Sequence, residues 1–289
     1  MQGTPNNASA GAAAYNPSPV ILTLKTAASL AEKLLPSRVY NPLYATAFGS
    51  YKKLVRFVYL RHWFVARHKG NRDEANKART IYRVMPYSLV GQGGLSATYD
   101  IVSKVEKSGI EGAIVECGVA RGGCAALMAL VSRQAKRHRQ IWLFDSYEGL
   151  PDPTVDDFGD DQKTGHHVQP LVKGACLGTY EEVQGLLFGK FGLNRSDIHM
   201  VKGWFQDTLP ITHEQIGKIA VLRLDGDWYG STKCCLDNLF DQVVPKGWII
   251  VDDYGSCYGA QKAVDEFLAQ RGLTVDMTPD GRGGCYFKR

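Results

Sequence analysis

From about residue 81 onward, short apolar runs alternate with stretches of helical periodicity, and several of the runs stop on an acid. That pattern admits few folds. Strands apolar on both faces need cover on both sides, and strand–helix alternation supplies it as parallel βαβ units. Strands are expected at "AIVEC" (113–117), "QIWLFD" (140–145), "IHMV" (198–201), "IAVLRLD" (219–225) and "GWIIVDD" (247–253). Helices are expected near 94–108, 123–136, 179–191, 231–241 and 259–270, and "LTVDM" with "GGCYFKR" reads as a C-terminal hairpin. Right-handed crossovers then give a doubly wound, mostly parallel α/β sheet closed by an antiparallel hairpin. Residues 81–289 would form this domain, behind an N-terminal helical extension (21–80) and a disordered Ala/Asn/Pro-rich leader (1–20).

Charge is unevenly placed. The chain carries a formal +5, mildly basic and far from a polybasic nucleic-acid binder. Lys52, Lys53, Arg56, Arg61, Arg67, Lys69, Arg72, Lys77 and Arg79 crowd one stretch against Asp73 and Glu74 alone, interleaved with Phe57, Tyr59, Trp63 and Phe64. This reads first as a solvated helix face docked on the main domain, and second as a peripheral contact of residues 50–80 with an anionic membrane or acidic partner. Seven cysteines without CxxC or zinc spacing read as reduced thiols of a cytoplasmic protein.

At the first strand-to-helix turn, "VECGVARGG" places glycines at 118, 122 and 123 behind Glu116. Glycines let backbone approach a ligand, and a helix N-terminus favours negative charge; the same glycines also suit tight strand–helix packing. The motif is not GxGxxG. An acid ahead of the turn suits a cationic, hydroxyl-bearing ligand such as S-adenosylmethionine better than a pyrophosphate. Asp145 ends the next strand at the spacing of an acid that grips ribose, which NAD would also satisfy. An NAD-dependent oxidoreductase and a non-catalytic, membrane-associated binding protein therefore stay open at this point.

"VLRLDGDWYGST" offers Asp225 and Asp227, and "DDY" offers Asp252 and Asp253. The two strands are consecutive, joined by one helix, and neighbouring strands lie about 4.8 Å apart. Their terminal carboxylates should therefore cluster beside the cofactor turn. Like charges so close call for a positive partner, and Mg²⁺ with its oxygen ligands is the simplest. Capping of the helix expected near Ser231 is the alternative use for Asp225 or Asp227. Asp227, freed by Gly226, would serve as a base. The loop 151–178 is long enough for a lid, with His166 and His167 as a second choice of base but more simply a solvated surface pair. Trp228 and Tyr229 would line an acceptor pocket or pack under that loop, and His213 reads as a helix-start residue.

Taken in order, "GAIVECGVARGG", "LFDSYEGLPDP", "VKGWFQDTLP", "LRLDGDWYGST" and "GWIIVDDYG" resemble the macrocin O-methyltransferase family, with the match running from about Arg83 to about Leu268. The resemblance implies a class I methyltransferase fold and an S-adenosylmethionine- and Mg²⁺-dependent enzyme. Its acceptor would be a hydroxyl of a sugar or other vicinal-diol natural product. It implies Asp225, Asp252 and Asp253 as metal ligands and Asp227 as general base. Glu116, Gly118, Gly122, Asp145 and Ser146 would surround the cofactor, with Gly203 and Trp204 near its adenine and Ser88 of "PYSL" in contact. Ala120 and Cys124 depart from the family's usual residues, and no counterpart is expected before about residue 80. By fold analogy the helical extension would pack across a two-fold in a homo-oligomer.

Overall fold

The computed structural model describes residues 37–159 and 167–289, with side chains from Lys53 onward in the first stretch. The leader and the run "LKTAASLAEKLL" lie outside the described residues. Helix α1 (Ser37–His68) and helix α2 (Arg72–Val84) pack on each other, and Asn71 starts the second by accepting from the Glu74 amide at 3.2 Å. A 3₁₀ turn (Met85–Tyr87) then leads to α3 (Gln92–Ser108), which ends on left-handed Gly109.

The sheet follows as β1 (Ala113–Cys117), α4 (Gly123–Gln134), β2 (Ile141–Asp145), α5 (Tyr180–Gln184, continued by a π turn), β3 (Ile198–Lys202), α6 (Phe205–Ile216) and β4 (Ile219–Leu224). Then come α7 (Tyr229–Leu239), β5 (Val243–Val251), α8 (Tyr258–Gln270), β6 (Thr278–Pro279) and β7 (Cys285–Lys288). Strand order is β3-β2-β1-β4-β5-β7-β6, the first five parallel and the last two joined antiparallel. The expected doubly wound sheet is therefore present. Every residue of β1 and β4 is buried, as central strands covered on both faces require. One apolar layer, with Leu95, Leu127 and Val221, lies under α2–α4; the other, with Phe144, Leu222 and Phe287, lies under α6–α8.

Three elements differ from expectation. "FQDTLPITHEQI" forms α6 although Pro210 sits inside it. A proline removes one amide donor and crowds the preceding turn, but Leu209 and Ile216 are buried against the sheet and hold the helix. β5 begins four residues earlier than Gly247; its register with β4 jumps between Val221 and Ile219, and Lys246 takes a φ of 72° in the bulge. In the hairpin, residues 273–277 are not a strand, and β7 pairs instead with the two-residue β6. All seven cysteines are free thiols. Among the described residues no helix is long and apolar enough to cross a membrane.

Candidate active site at the carboxyl ends of the strands

Sheet order reverses between β1 and β4, and the ladder carries on one residue past each strand. Gly118 N–H donates to Phe144 O, Asp225 N–H to Cys117 O, Asp252 N–H to Leu224 O and Gly203 N–H to Asp145 O, all at 2.8–2.9 Å. The strand-end residues thus stand side by side at one height, along the crevice where open α/β sheets bind ligands.

Asp225, Asp252 and Asp253 offer carboxylate oxygens within 4.8 Å of one another, and Asp227, Asp253 and Cys257 form a second group by the same measure. The sequence reading missed the residue at their centre. Arg223, the interruption in the β4 run, is 0% exposed and pairs across the β1–β4 ladder with Glu116. Its Nη2 donates to Asp225 Oδ2 at 2.7 Å and Asp252 Oδ1 at 2.8 Å, and its Nε to Glu116 Oε1 at 3.2 Å. The guanidinium takes one oxygen from each of three acids and leaves the others. Buried Asp253 Oδ2 and Glu116 Oε2 have no partner among the described residues.

One guanidinium, bonded to three acids, serves a cluster of five carboxyls, and the acids carry the imbalance. Burial, reinforced by the Asp252 charge, raises Asp225 well above the carboxylate range, and burial with the Asp227 charge does the same to Asp253. Burial, then the neighbouring Asp225 and Asp252, push Asp227 up to about 7, and burial pushes Glu116 up to about 8. The acids raise Arg223 well above its ordinary value despite its burial. A site with this surplus of acid, all hard oxygen donors, fits a divalent cation. Asp280, from the β6–β7 turn, adds a further acid: a Cβ on Gly94 would lie 3.1 Å from its Oδ2 and 3.3 Å from Asp252 Oδ1.

The glycines of the turn face protein. A Cβ on Gly118 (φ 92°) would lie 1.8 Å from the Asp225 carbonyl oxygen; on Gly122 it would meet Val183 at 3.1 Å, and on Gly123 the Ser88 Cβ at 2.5 Å. Tight packing, the alternative reading, accounts for all three. Gly118→Ala is accordingly expected to lose about 3 kcal/mol or more, seen as a collapse of soluble yield and melting temperature. A melting curve like the wild type's would mean that β1 and β4 can part without cost.

Asp145 also serves the turn. Its Oδ2 accepts from Val119 and Ala120 amides at 2.7 and 3.0 Å, and its Oδ1 from Tyr147 at 2.6 Å. Burial raises its pKa against the pull of those three amides. Ser146 is spent locally, accepting from the Glu148 amide and donating to Gly149 O. Gly203 (φ 144°) turns the chain from β3 into α6, and half-buried Trp204 is that helix's N-cap. Ser88, buried, lies on the far side of the turn against Gly123. Ser88, the turn, Asp145 and Gly203 thus form one continuous arc beside the acids.

Neither Asp225 nor Asp227 caps the following helix. α7 starts at Tyr229, and its first amide donates to Asp157 Oδ1 at 2.7 Å, a cap delivered from the loop. Trp228 packs under that loop, its Nε1 donating to Pro151 O at 3.1 Å, and Tyr229 turns outward to Glu266. His166 lies outside the described residues. His167 is not a solvated surface residue: it is buried, edge-on to Tyr258 at 5.8 Å, because Val168 N–H ties the loop to Ser256 O. His213 sits in the last turn of α6, not at its start, with Nδ1 3.0 Å from Leu209 O. An open cleft of about 830 Å³ lies elsewhere, along the Phe240–Trp248–Arg271 edge, and includes none of the strand-end acids.

Comparison with known proteins bears on what this arrangement does. The family model described as macrocin O-methyltransferase (TylF) matches residues 31–289, so the helical extension after residue 30 has a counterpart after all. The chain is 33% identical over 230 residues to demethyldecarbamoylnovobiocin O-methyltransferase of Streptomyces niveus, covering 79% of this chain and 86% of that one. It is 34% identical over 199 residues to the 8-demethyl-8-(2,3-dimethoxy-alpha-L-rhamnosyl)-tetracenomycin-C 4'-O-methyltransferase of Streptomyces olivaceus, covering 68% and 74%. Among solved structures, that of the O-methyltransferase NovP superposes with a TM-score of 0.62 at 34% identity, over 70% of this chain and 82% of NovP. The oxidoreductase and non-catalytic readings fall with these matches. This chain belongs to the macrocin O-methyltransferase family and is an O-methyltransferase.

Proposed function

We propose that the chain transfers a methyl group from S-adenosylmethionine to a hydroxyl of a glycosylated natural product, with a divalent cation held by Asp225, Asp252 and Asp253. The observation that carries this reading is the set of strand-end carboxylates that Arg223 neutralises only in part. The names of the relatives support the acceptor class, one of them specifying a rhamnosyl group. A vicinal pair of sugar oxygens suits a cation with coordination positions to spare.

The methyl donor would lie along the arc described above. Asp145 keeps a lone pair on Oδ1 for a ribose hydroxyl, and buried Glu116, protonated while its Oε2 lacks a partner, would ionise against the donor's cationic end. Trp204 offers an aromatic face at the β3–α6 turn. A bound Mg²⁺ would supply Lewis acidity, lowering the acceptor hydroxyl's pKa. Asp227 would take the hydroxyl proton, held in reach by the turn that follows β4. Loop residues 150–159, tied down through Asp157 and Trp228, would limit water at the strand ends. Alignment of hydroxyl and methyl carbon is the other contribution, worth on the order of 7–11 kcal/mol for well-oriented pairs.

The test is turnover on a panel of rhamnosyl glycosides with and without EDTA, beside calorimetric titration of S-adenosylhomocysteine. Chelation is expected to slow methyl transfer by about a thousandfold, the equivalent of several kcal/mol, and Mg²⁺ to restore it. Asp252→Asn should copy the chelated state while leaving the nucleoside's affinity within a few-fold. Full activity in EDTA would remove the cation from the reading.

A further inference from the structure

From Lys53 onward helix α1 has two apolar faces, and the described part of the domain covers one. Ala66 is buried, Val55 and Tyr59 pack against the core, and Arg56 lies over the Tyr82 ring at 4.6 Å. His62 pairs with Glu74 at 3.0 Å, and Trp63 receives Arg79 at 5.7 Å. On the other face Leu54, Phe57, Val58, Phe64 and Val65 are 44–63% exposed. Their spacing of three, four and seven residues sets them in one stripe along more than three turns.

The charge around that stripe is of one sign. Residues 37–72 contain eight Lys and Arg and no Asp or Glu; with a whole-chain net of +5, the rest of the chain carries −3. Lys53, Arg61, Arg67 and Lys69 flank or punctuate the stripe, all exposed, and none has a carboxylate partner among the described residues. A second copy docked on the same face would set these cations against their own images. An anionic surface meets both the charge and the apolar stripe. The face is also a convex rod, which a deformable interface accommodates without a groove. An amphipathic face of this kind suits the headgroup layer, the long basic side chains reaching outward past the apolar ones.

We infer that the outer face of α1 is a docking surface for an anionic lipid membrane, entered by Phe57 and Phe64 and held by Lys53, Arg61, Arg67 and Lys69. This goes beyond the methyl-transfer reading and does not depend on it.

The experiment is co-sedimentation of the full chain with vesicles of phosphatidylcholine alone and of an equimolar phosphatidylcholine–phosphatidylglycerol mixture. Binding should be about tenfold or more stronger to the anionic vesicles and weaken as salt is added. The double substitutions Phe57→Ser with Phe64→Ser, and Lys53→Glu with Arg61→Glu, should each lower the bound fraction about tenfold. Circular dichroism and methyl transfer in solution should stay as in the wild type. A photoreactive benzoylphenylalanine in place of Phe57 identifies the occupant directly. Adducts with lipid support the inference. Adducts within the chain, or with a second copy, overturn it, as does equal binding to the two vesicle types.

Discussion

Arg223→Met is expected to destabilise the fold by about 3–5 kcal/mol, the range for removing one partner of a buried ionic set. The guanidinium is fully buried and gives hydrogen bonds to Glu116, Asp225 and Asp252. Methionine fills much of the same volume with a flexible, apolar chain, so the loss comes from charge and hydrogen bonding more than from a cavity. With arginine gone, three carboxyls from β1, β4 and β5 face one another, and some must take protons to fold. Arg223→Lys keeps the charge, but one ammonium cannot reproduce the fork that bonds two aspartates through Nη2 and a glutamate through Nε, so it should fall between. Adding Glu116→Gln to Arg223→Met should recover part of the loss, since one fewer acid then lacks a counter-charge. Urea unfolding of the four proteins reads these differences. An Arg223→Met midpoint within about 1 kcal/mol of the wild type would mean that the strand-end acids need no internal cation.

Why the sequence showed one half of this site and hid the other follows from what each half depends on. Asp225 and Asp252–Asp253 end consecutive strands, so a short crossover makes them neighbours, and alternation alone places them together. Arg223 meets Glu116 across 107 residues of chain, through a β1–β4 pairing that no local pattern announces, and a charged residue in an apolar run reads as a flaw. The turn glycines were visible, but not the surface each one faces: Gly118 lies against Asp225 because the β1–β4 ladder carries on past both strand ends. α6 was hidden by Pro210, and β6 by being two exposed residues long. His167 was misread because the loop's tether to Ser256 is a backbone hydrogen bond, which any side chains would allow.

Asp227→Asn is expected to lower kcat by about 10²–10⁴, the range for loss of a positioned general base, with the affinity for S-adenosylhomocysteine nearly unchanged. The backbone explains why an acid can stand here. Asp227 has a φ of 56°, a left-handed conformation that Asp and Asn tolerate better than most residues, and Trp228 N–H closes the turn on Gly226 O at 2.5 Å. Asparagine therefore keeps the shape of the turn and removes only the capacity to accept a proton. The carboxyl is grouped with Asp253 and with Cys257, whose Sγ lies 3.8 Å from its Oδ1, and it is not among the three acids that Arg223 holds. His167, the other candidate base, is enclosed between the loop and Tyr258. His167→Gln should thus reduce turnover only a few-fold, and through stability. The pair of variants separates the assignments. If Asp227→Asn turns over within tenfold of the wild type while His167→Gln is inactive though folded, the proton goes to the loop histidine, and the acid after β4 is left as a member of the carboxylate cluster only.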